Sequence, residues 1–116
     1  MQKIVIDTNF MLSALKFRVK MPYASFILPD SVISELEKIA KSRRKDAALA
    51  RAALQLIEKR KFSVVHTRGS TDRAILDYAA ANGCAVATND KKLIKALKAN
   101  GIKVIRIRQK KYVVEE

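Results

Sequence analysis

Residues 4–9, Ile-Val-Ile-Asp-Thr-Asn, and residues 85–90, Ala-Val-Ala-Thr-Asn-Asp, decide the reading of this chain. In each, a short apolar run stops abruptly at a polar triplet that contains an aspartate, Asp7 in the first and Asp90 in the second. Unbroken apolar runs of this length suit strands covered on both faces, as in a parallel sheet. Ligand sites of such sheets form outside the carboxyl ends of the strands. Two acids delivered to that edge mark the place to look for chemistry.

Working outward, strand-like runs occupy residues 3–7, 25–28, 62–65, 84–87 and 103–107. Helical periodicity fills the intervals at 9–16, 31–41, 46–59, 72–82 and 91–100. Asp30 stands where an N-cap is wanted, and Gly83 and Gly101 stand where C-cap glycines are wanted. Strand and helix alternate, which predicts an α/β sandwich of three layers with a parallel sheet in the middle. Residues 17–24 read as a rim loop or an arm, and 109–116 as a basic tail ending in two acids. Without repeats, linkers or low-complexity tracts, residues 1–116 read as one domain.

The charge is one-sided. Lys and Arg number 24 against 11 Asp and Glu, a net charge of +13, and the pI is near 10.2. Such an excess fits a polyanionic partner, although lysines also serve solubility. No apolar run approaches a membrane span and no basic amphipathic helix with large anchors stands out, so no membrane role is expected. A single cysteine, Cys84, and the absence of a signal-like start make the cytoplasm the expected location.

Four acids come from four separate segments. Besides Asp7 and Asp90, Glu35 borders the apolar stripe of Val32, Leu36 and Ile39, while Glu37 points away from it. Asp72 projects with Ile75 and Ala79 toward the core, and Asp77 toward solvent. Each acid alone has an ordinary use as a cap or a first-turn charge. Together, carboxylates gathered at one sheet edge repel one another unless a counter-charge is present, and Mg²⁺ or Mn²⁺ is the natural one.

The absences narrow the chemistry further. His66 is the only histidine and Cys84 the only cysteine, so a zinc site, a Cys–His pair or a Ser–His–acid triad has no material. Three glycines cannot build a phosphate loop. His66 reads as a loop or RNA-contact residue and Cys84 as core. What remains is metal-assisted hydrolysis, in which the cation activates water and stabilises charge on the scissile phosphate.

The segments IDTN at 6–9, PDSVISELEKI at 29–39, STDRAILDYA at 70–79 and ATNDKKLIKAL at 87–97 resemble the PIN-domain ribonucleases, in the family's order and over almost the whole chain. GIKVIRIRQKKY at 101–112 further resembles small archaeal PIN proteins related to nucleases that cut pre-ribosomal RNA. The resemblance implies a five-stranded parallel sheet ordered 3-2-1-4-5, with strands one and four adjacent. It implies that Asp7, Glu35, Asp72 and Asp90 form the catalytic, metal-binding cluster for Mg²⁺ or Mn²⁺. Thr8, Asn9, Thr88 and Asn89 would then stand beside the ligands, with Thr88 the leading hydroxyl. The short interval between strands one and two departs from the family's usual extra helical structure, which bears on the shape of the substrate groove.

RNA, single-stranded or ribosomal, is the expected partner. Basic residues around the site supply its contacts: Arg43 and Arg44 with Lys45, Arg68 and Arg73 around Asp72, Lys91 and Lys92 beside Asp90, and Arg106, Arg108, Lys110 and Lys111 near the end. Tyr23 and Tyr112 are the aromatic candidates for base stacking. The expected activity is therefore metal-dependent endoribonucleolytic cleavage of single-stranded RNA, in rRNA processing. Two alternatives stand beside it: a toxin ribonuclease with an antitoxin protein, and a non-cleaving RNA-binding module in ribosome assembly. The resemblance also allows a homodimer. A haloacid-type phosphatase is set aside because Asn9 stands where its second Asp is needed, and a phospho-receiver because Val65-His66 lacks its acceptor Asp.

Overall fold

A computed structural model describes residues 1–60 and 62–116. In chain order the elements are β1 (Lys3–Ile6), α1 (Thr8–Lys16), β2 (Ser25–Pro29), α2 (Asp30–Ala40), α3 (Ala47–Lys59), β3 (Ser63–Val65), α4 (Thr71–Asn82), β4 (Ala85–Ala87), α5 (Lys91–Ala99), β5 (Val104–Arg108) and β6 (Tyr112–Glu115). The sheet runs β3-β2-β1-β4-β5-β6. β1 lies at its centre, paired in parallel with β2 and with β4, Val5 opposite both Ile27 and Val86.

Alternation along the strands sends side chains to two separate cores. Ile4 and Ile6 join Phe10, Leu28, Leu36, Ala50, Ala53 and Ile105 beneath α1, α2 and α3. Val5 and Val86 join Ile27, Ile75, Leu93, Leu97 and Val104 beneath α4 and α5. Both faces are thus covered, which is why the strands carry no polar alternation. Ala47, Ala50 and Ala53 are the buried residues of α3, and their small side chains suit its close packing on α2.

The sheet has six strands where five were expected. Residues 109–116 are not a loose tail: Gln109 and Lys110 turn the chain with φ of 56° and 55°, and β6 pairs antiparallel with β5, Arg106 opposite Val114. Two consecutive left-handed residues suit the tight turn of a hairpin, which Asn-Gly or Asp-Gly normally signals. Gln-Lys carries no such signal.

Asp30 also departs from expectation. Pro29 holds the N-cap position of α2 and makes no side-chain cap bond, while Asp30 is the first helical residue. Its carboxylate instead crosses to the segment after β3. Oδ1 accepts from the Thr67 N–H at 3.1 Å and the Thr67 hydroxyl at 3.0 Å, and Oδ2 lies 2.7 Å from His66 Nδ1. Partial desolvation raises the acid's pKa, but these hydrogen bonds and the imidazole outweigh it and leave it lowered. A lowered folded-state pKa stabilises the fold above the ordinary carboxylate range, and that contribution is lost as the pH falls through it. Melting curves of wild type and Asp30→Asn should therefore differ at neutral pH and converge in acid; parallel curves at all pH values would deny Asp30 this role.

Candidate active site

Asp7 follows β1 and Asp90 opens α5 after β4, so the pairing of these two central strands brings both acids to the carboxyl edge of the sheet. Asp7 is buried, at 7% exposure. It occupies the N-cap position of α1 without making a side-chain cap bond, so its carboxylate is not committed to the helix. Thr88, wholly buried, donates its hydroxyl to Asp7 Oδ2 at 2.8 Å and accepts the Asp90 N–H at 3.1 Å. One threonine thus joins the two acids. Asp90 Oδ1 caps α5 by accepting the Lys92 and Leu93 N–H groups at 2.9 and 3.2 Å.

Val32, Leu36 and Ile39 bury one stripe of α2 and leave Glu35 half-buried at its border. Glu35 Oε1 accepts two hydroxyls, from Thr8 at 3.0 Å and Thr71 at 2.9 Å. Thr71 was not singled out from the sequence. It is the first residue of α4, and only the packing of α4 near α2 reveals its role. Asp72, expected to point inward, is exposed at the start of α4, with Ser70 rather than Asp72 capping the helix. It nevertheless feels the other acids.

Electrostatics ties the four together. Burial raises the pKa of Asp7, opposed by the Thr88 hydroxyl and the Thr8 backbone N–H, with Asp72 and Glu35 adding repulsion. Asp72 is raised by desolvation, then by repulsion from Asp90 and Glu35. Among the described residues, none of the four carboxylates forms a salt bridge, in a chain with an excess of 13 positive charges. The basic side chains pair with other acids instead: Arg73 with Asp77, Arg44 with Asp46, Arg106 and Arg108 with Glu116. The edge is an acidic site without an internal counter-charge.

That donor set suits a hard divalent cation, with a restriction. Among the described residues no three His, Cys, Asp or Glu side chains converge closely enough to enclose an ion unaided. The resemblance gave Asp7 and Asp90 as the direct ligands, with Glu35 and Asp72 binding a second ion or orienting water. Mg²⁺ dehydrates reluctantly and is commonly held by one or two carboxylates, waters and substrate phosphates, so a sparse edge of this kind fits it.

The remaining expected residues are scattered around this edge. Asn89 accepts the Ile107 N–H at 2.9 Å and donates to the Ile107 carbonyl at 3.1 Å, fastening the end of β4 to β5. Asn9 is exposed on α1 and lines a cleft against α3. Arg43, Arg68, Lys91, Lys92, Lys110 and Lys111 are exposed and make no salt bridge among the described residues. Tyr23 and Tyr112 are exposed. His66 is bound to Asp30, and Cys84 is core, its thiol pKa raised by burial. The roomiest cavity described, about 660 Å³, lies at the opposite edge of the sheet, lined by Lys3, Gly83, Cys84 and Gly101 and by no carboxylate side chain.

The sheet order and this acidic edge define the class. The family model described as PIN like domain matches residues 4–110, and the chain belongs to that family. It is 37% identical to ribonuclease VapC4 of Methanocaldococcus jannaschii, covering 97% of this chain and 95% of that protein. It is 33% identical to ribonuclease VapC9 of Archaeoglobus fulgidus, covering 97% and 87%. Among solved structures, the PIN domain endonuclease Utp24 aligns with a TM-score of 0.77 at 24% identity over 96% of this chain and 90% of that one. A domain of a functionally unknown M. jannaschii protein aligns at 0.65 and 20% identity, covering 93% and 92%. At these identities the structural likeness speaks for the fold. Among the described residues no helix is long and apolar enough to cross a membrane.

Proposed function

We propose that this chain is a divalent-cation-dependent endoribonuclease that hydrolyses single-stranded RNA at the carboxyl edge of its sheet. The observation that carries the reading is the set of four acids, Asp7, Glu35, Asp72 and Asp90, assembled without a cationic partner among the described residues. The ribonuclease names of the two archaeal relatives support it. Asp7 and Asp90 would hold Mg²⁺ or Mn²⁺, with Asp72 and Glu35 beside them. The bound cation supplies water activation and charge stabilisation on the phosphate.

The chain's own residues do the positioning. Thr88 fixes the Asp7 carboxylate, and Thr8 and Thr71 fix Glu35 from two different helices. Lys91 and Lys92 open α5, where positive charge opposes the helix dipole. A phosphate at this helix start, beside Asp90, would offset that cost. The ribonuclease names of the two archaeal relatives are equally compatible with a narrower reading, a toxin ribonuclease restrained by an antitoxin protein. Processing of rRNA rests on the resemblance of residues 101–112.

Asp90→Asn separates chemistry from fold, because Asn caps helices about as well as Asp. Labelled single-stranded RNA should be cut by wild type in Mn²⁺ or Mg²⁺, left intact in chelator, and left intact by Asp90→Asn at unchanged melting temperature. Undiminished cation-dependent cutting by the purified variant would sink the proposal.

A further inference from the structure

Among the described residues, the three non-glycine positions with left-handed backbone are Arg18, Gln109 and Lys110, at φ 51°, 56° and 55°. Two of them flank one aromatic ring, Arg18 in sequence and Lys110 in space. Phe17 ends α1, immediately before Arg18, and two ammonium groups stand over its ring: Lys16 Nζ at 5.4 Å from the centroid and Lys110 Nζ at 5.5 Å. A left-handed conformation is strained for an ordinary residue, because its Cβ crowds the following carbonyl oxygen. Here it recurs where two lysines converge on one side chain, and none of Lys16, Arg18, Lys110 or Lys111 has an acidic partner among the described residues. Convergent, uncompensated cations in strained backbone fit a polyanion better than a solvated surface.

The patch connects to the acidic edge. Asn9, Ser13 and Lys16 line one side of a cleft of about 420 Å³ between α1 and α3, with Lys45, Asp46 and Leu49 on the other. Its single carboxylate, Asp46, is engaged by Arg44 at 2.9 Å. Asn9 lies two residues from Asp7, and Lys16 about 10 Å farther along the helix axis at 1.5 Å per residue. A strand cut at Asp7 thus has a route along α1 to Phe17 and the β5–β6 turn.

We propose that Lys16 and Lys110, gathered on Phe17, form an anchor for the phosphates of single-stranded RNA lying several nucleotides from the cleavage point. The inference rests on the RNA-cleaving reading above, but its test reads binding alone. In chelator, binding of a labelled single-stranded RNA of mixed sequence is followed by fluorescence anisotropy over a range of salt. Each phosphate contact on a single strand contributes about −0.7 to the slope of log K against log salt. The double variant Lys16→Ala/Lys110→Ala should bind roughly tenfold more weakly, with a slope about 1.4 smaller in magnitude. The control Lys3→Ala/Lys59→Ala removes the same charge elsewhere and should change neither. Equal losses in both pairs would mean diffuse attraction and overturn the anchor, as would no loss in the first. Lys110→Gly, which relieves the turn, should raise the melting temperature while weakening binding; undiminished binding by this variant would also count against the anchor. Wild-type binding without cleavage in Mn²⁺ would refute the nuclease and leave the anchor standing.

Discussion

Asp7→Asn should lower RNA cleavage by more than about 100-fold, beyond the roughly 10–100-fold that residues supporting a metal ligand usually contribute, and should also stabilise the cation-free protein. Both effects have one cause. Asp7 is a buried carboxylate at 7% exposure, raised in pKa by that burial and by repulsion from Asp72 and Glu35, with no cationic partner among the described residues. A raised folded-state pKa means that the fold is most stable below the ordinary carboxylate range and loses stability as the pH rises through the raised value. An amide removes that loss, keeps an oxygen for the Thr88 hydroxyl and disturbs no helix cap. In chelator at neutral pH the variant should gain on the order of 1 kcal/mol, the size of other stabilising changes at functional sites. Calorimetry across pH checks the sign: the two proteins should approach each other in acid. Added Mn²⁺ should raise the melting temperature of wild type more than that of the variant. A variant less stable than wild type at neutral pH would show that the Asp7 charge is already balanced in the fold.

Thr88→Val predicts the opposite effect on stability with the same direction on activity. The substitution keeps the shape and removes the hydroxyl that bonds Asp7 Oδ2 and receives the Asp90 N–H. An unsatisfied buried group costs roughly 1–3 kcal/mol, so the protein should melt lower. Cleavage should fall about 10–100-fold as both acids lose their common partner. Thr88→Ser keeps the hydroxyl and should recover most of the activity. If serine were as impaired as valine, the methyl group and its packing, rather than the hydrogen bonds, would be what position 88 supplies.

How much of this could be read from the residues follows the range of the interactions involved. The five parallel strands are legible because their burial on both faces depends on local composition, and their ends fall within one or two residues of expectation. Glu35 is legible for a similar reason: the stripe of Val32, Leu36 and Ile39 fixes its place on α2. What escapes is set by partners distant along the chain. Asp30 has the local appearance of a cap, yet its partners His66 and Thr67 lie 36 and 37 positions away and meet it only because β2 and β3 are neighbours. Thr71 is invisible for the same reason. β6 escapes because its turn uses Gln109 and Lys110 in a conformation those residue types do not advertise. Asp72 was misdirected by helical projection, which tells where a side chain points along a helix but not where the neighbouring layer stops covering its first turn.

The bond between Thr88 and Asp7 spans 81 positions of sequence, and that span has a consequence for the newly made chain. β1 leaves the ribosome well before its neighbour β4 and the last of the residues that complete the acidic edge. At roughly 5–20 residues per second, the delay between Asp7 and Asp90 is on the order of 10 s. Until Asp90 is made the growing polypeptide, tethered to the most abundant RNA in its surroundings, lacks the β4 side of that edge. The order in which the sheet is threaded thus acts as a timer that withholds the complete acidic edge until β4 has joined β1.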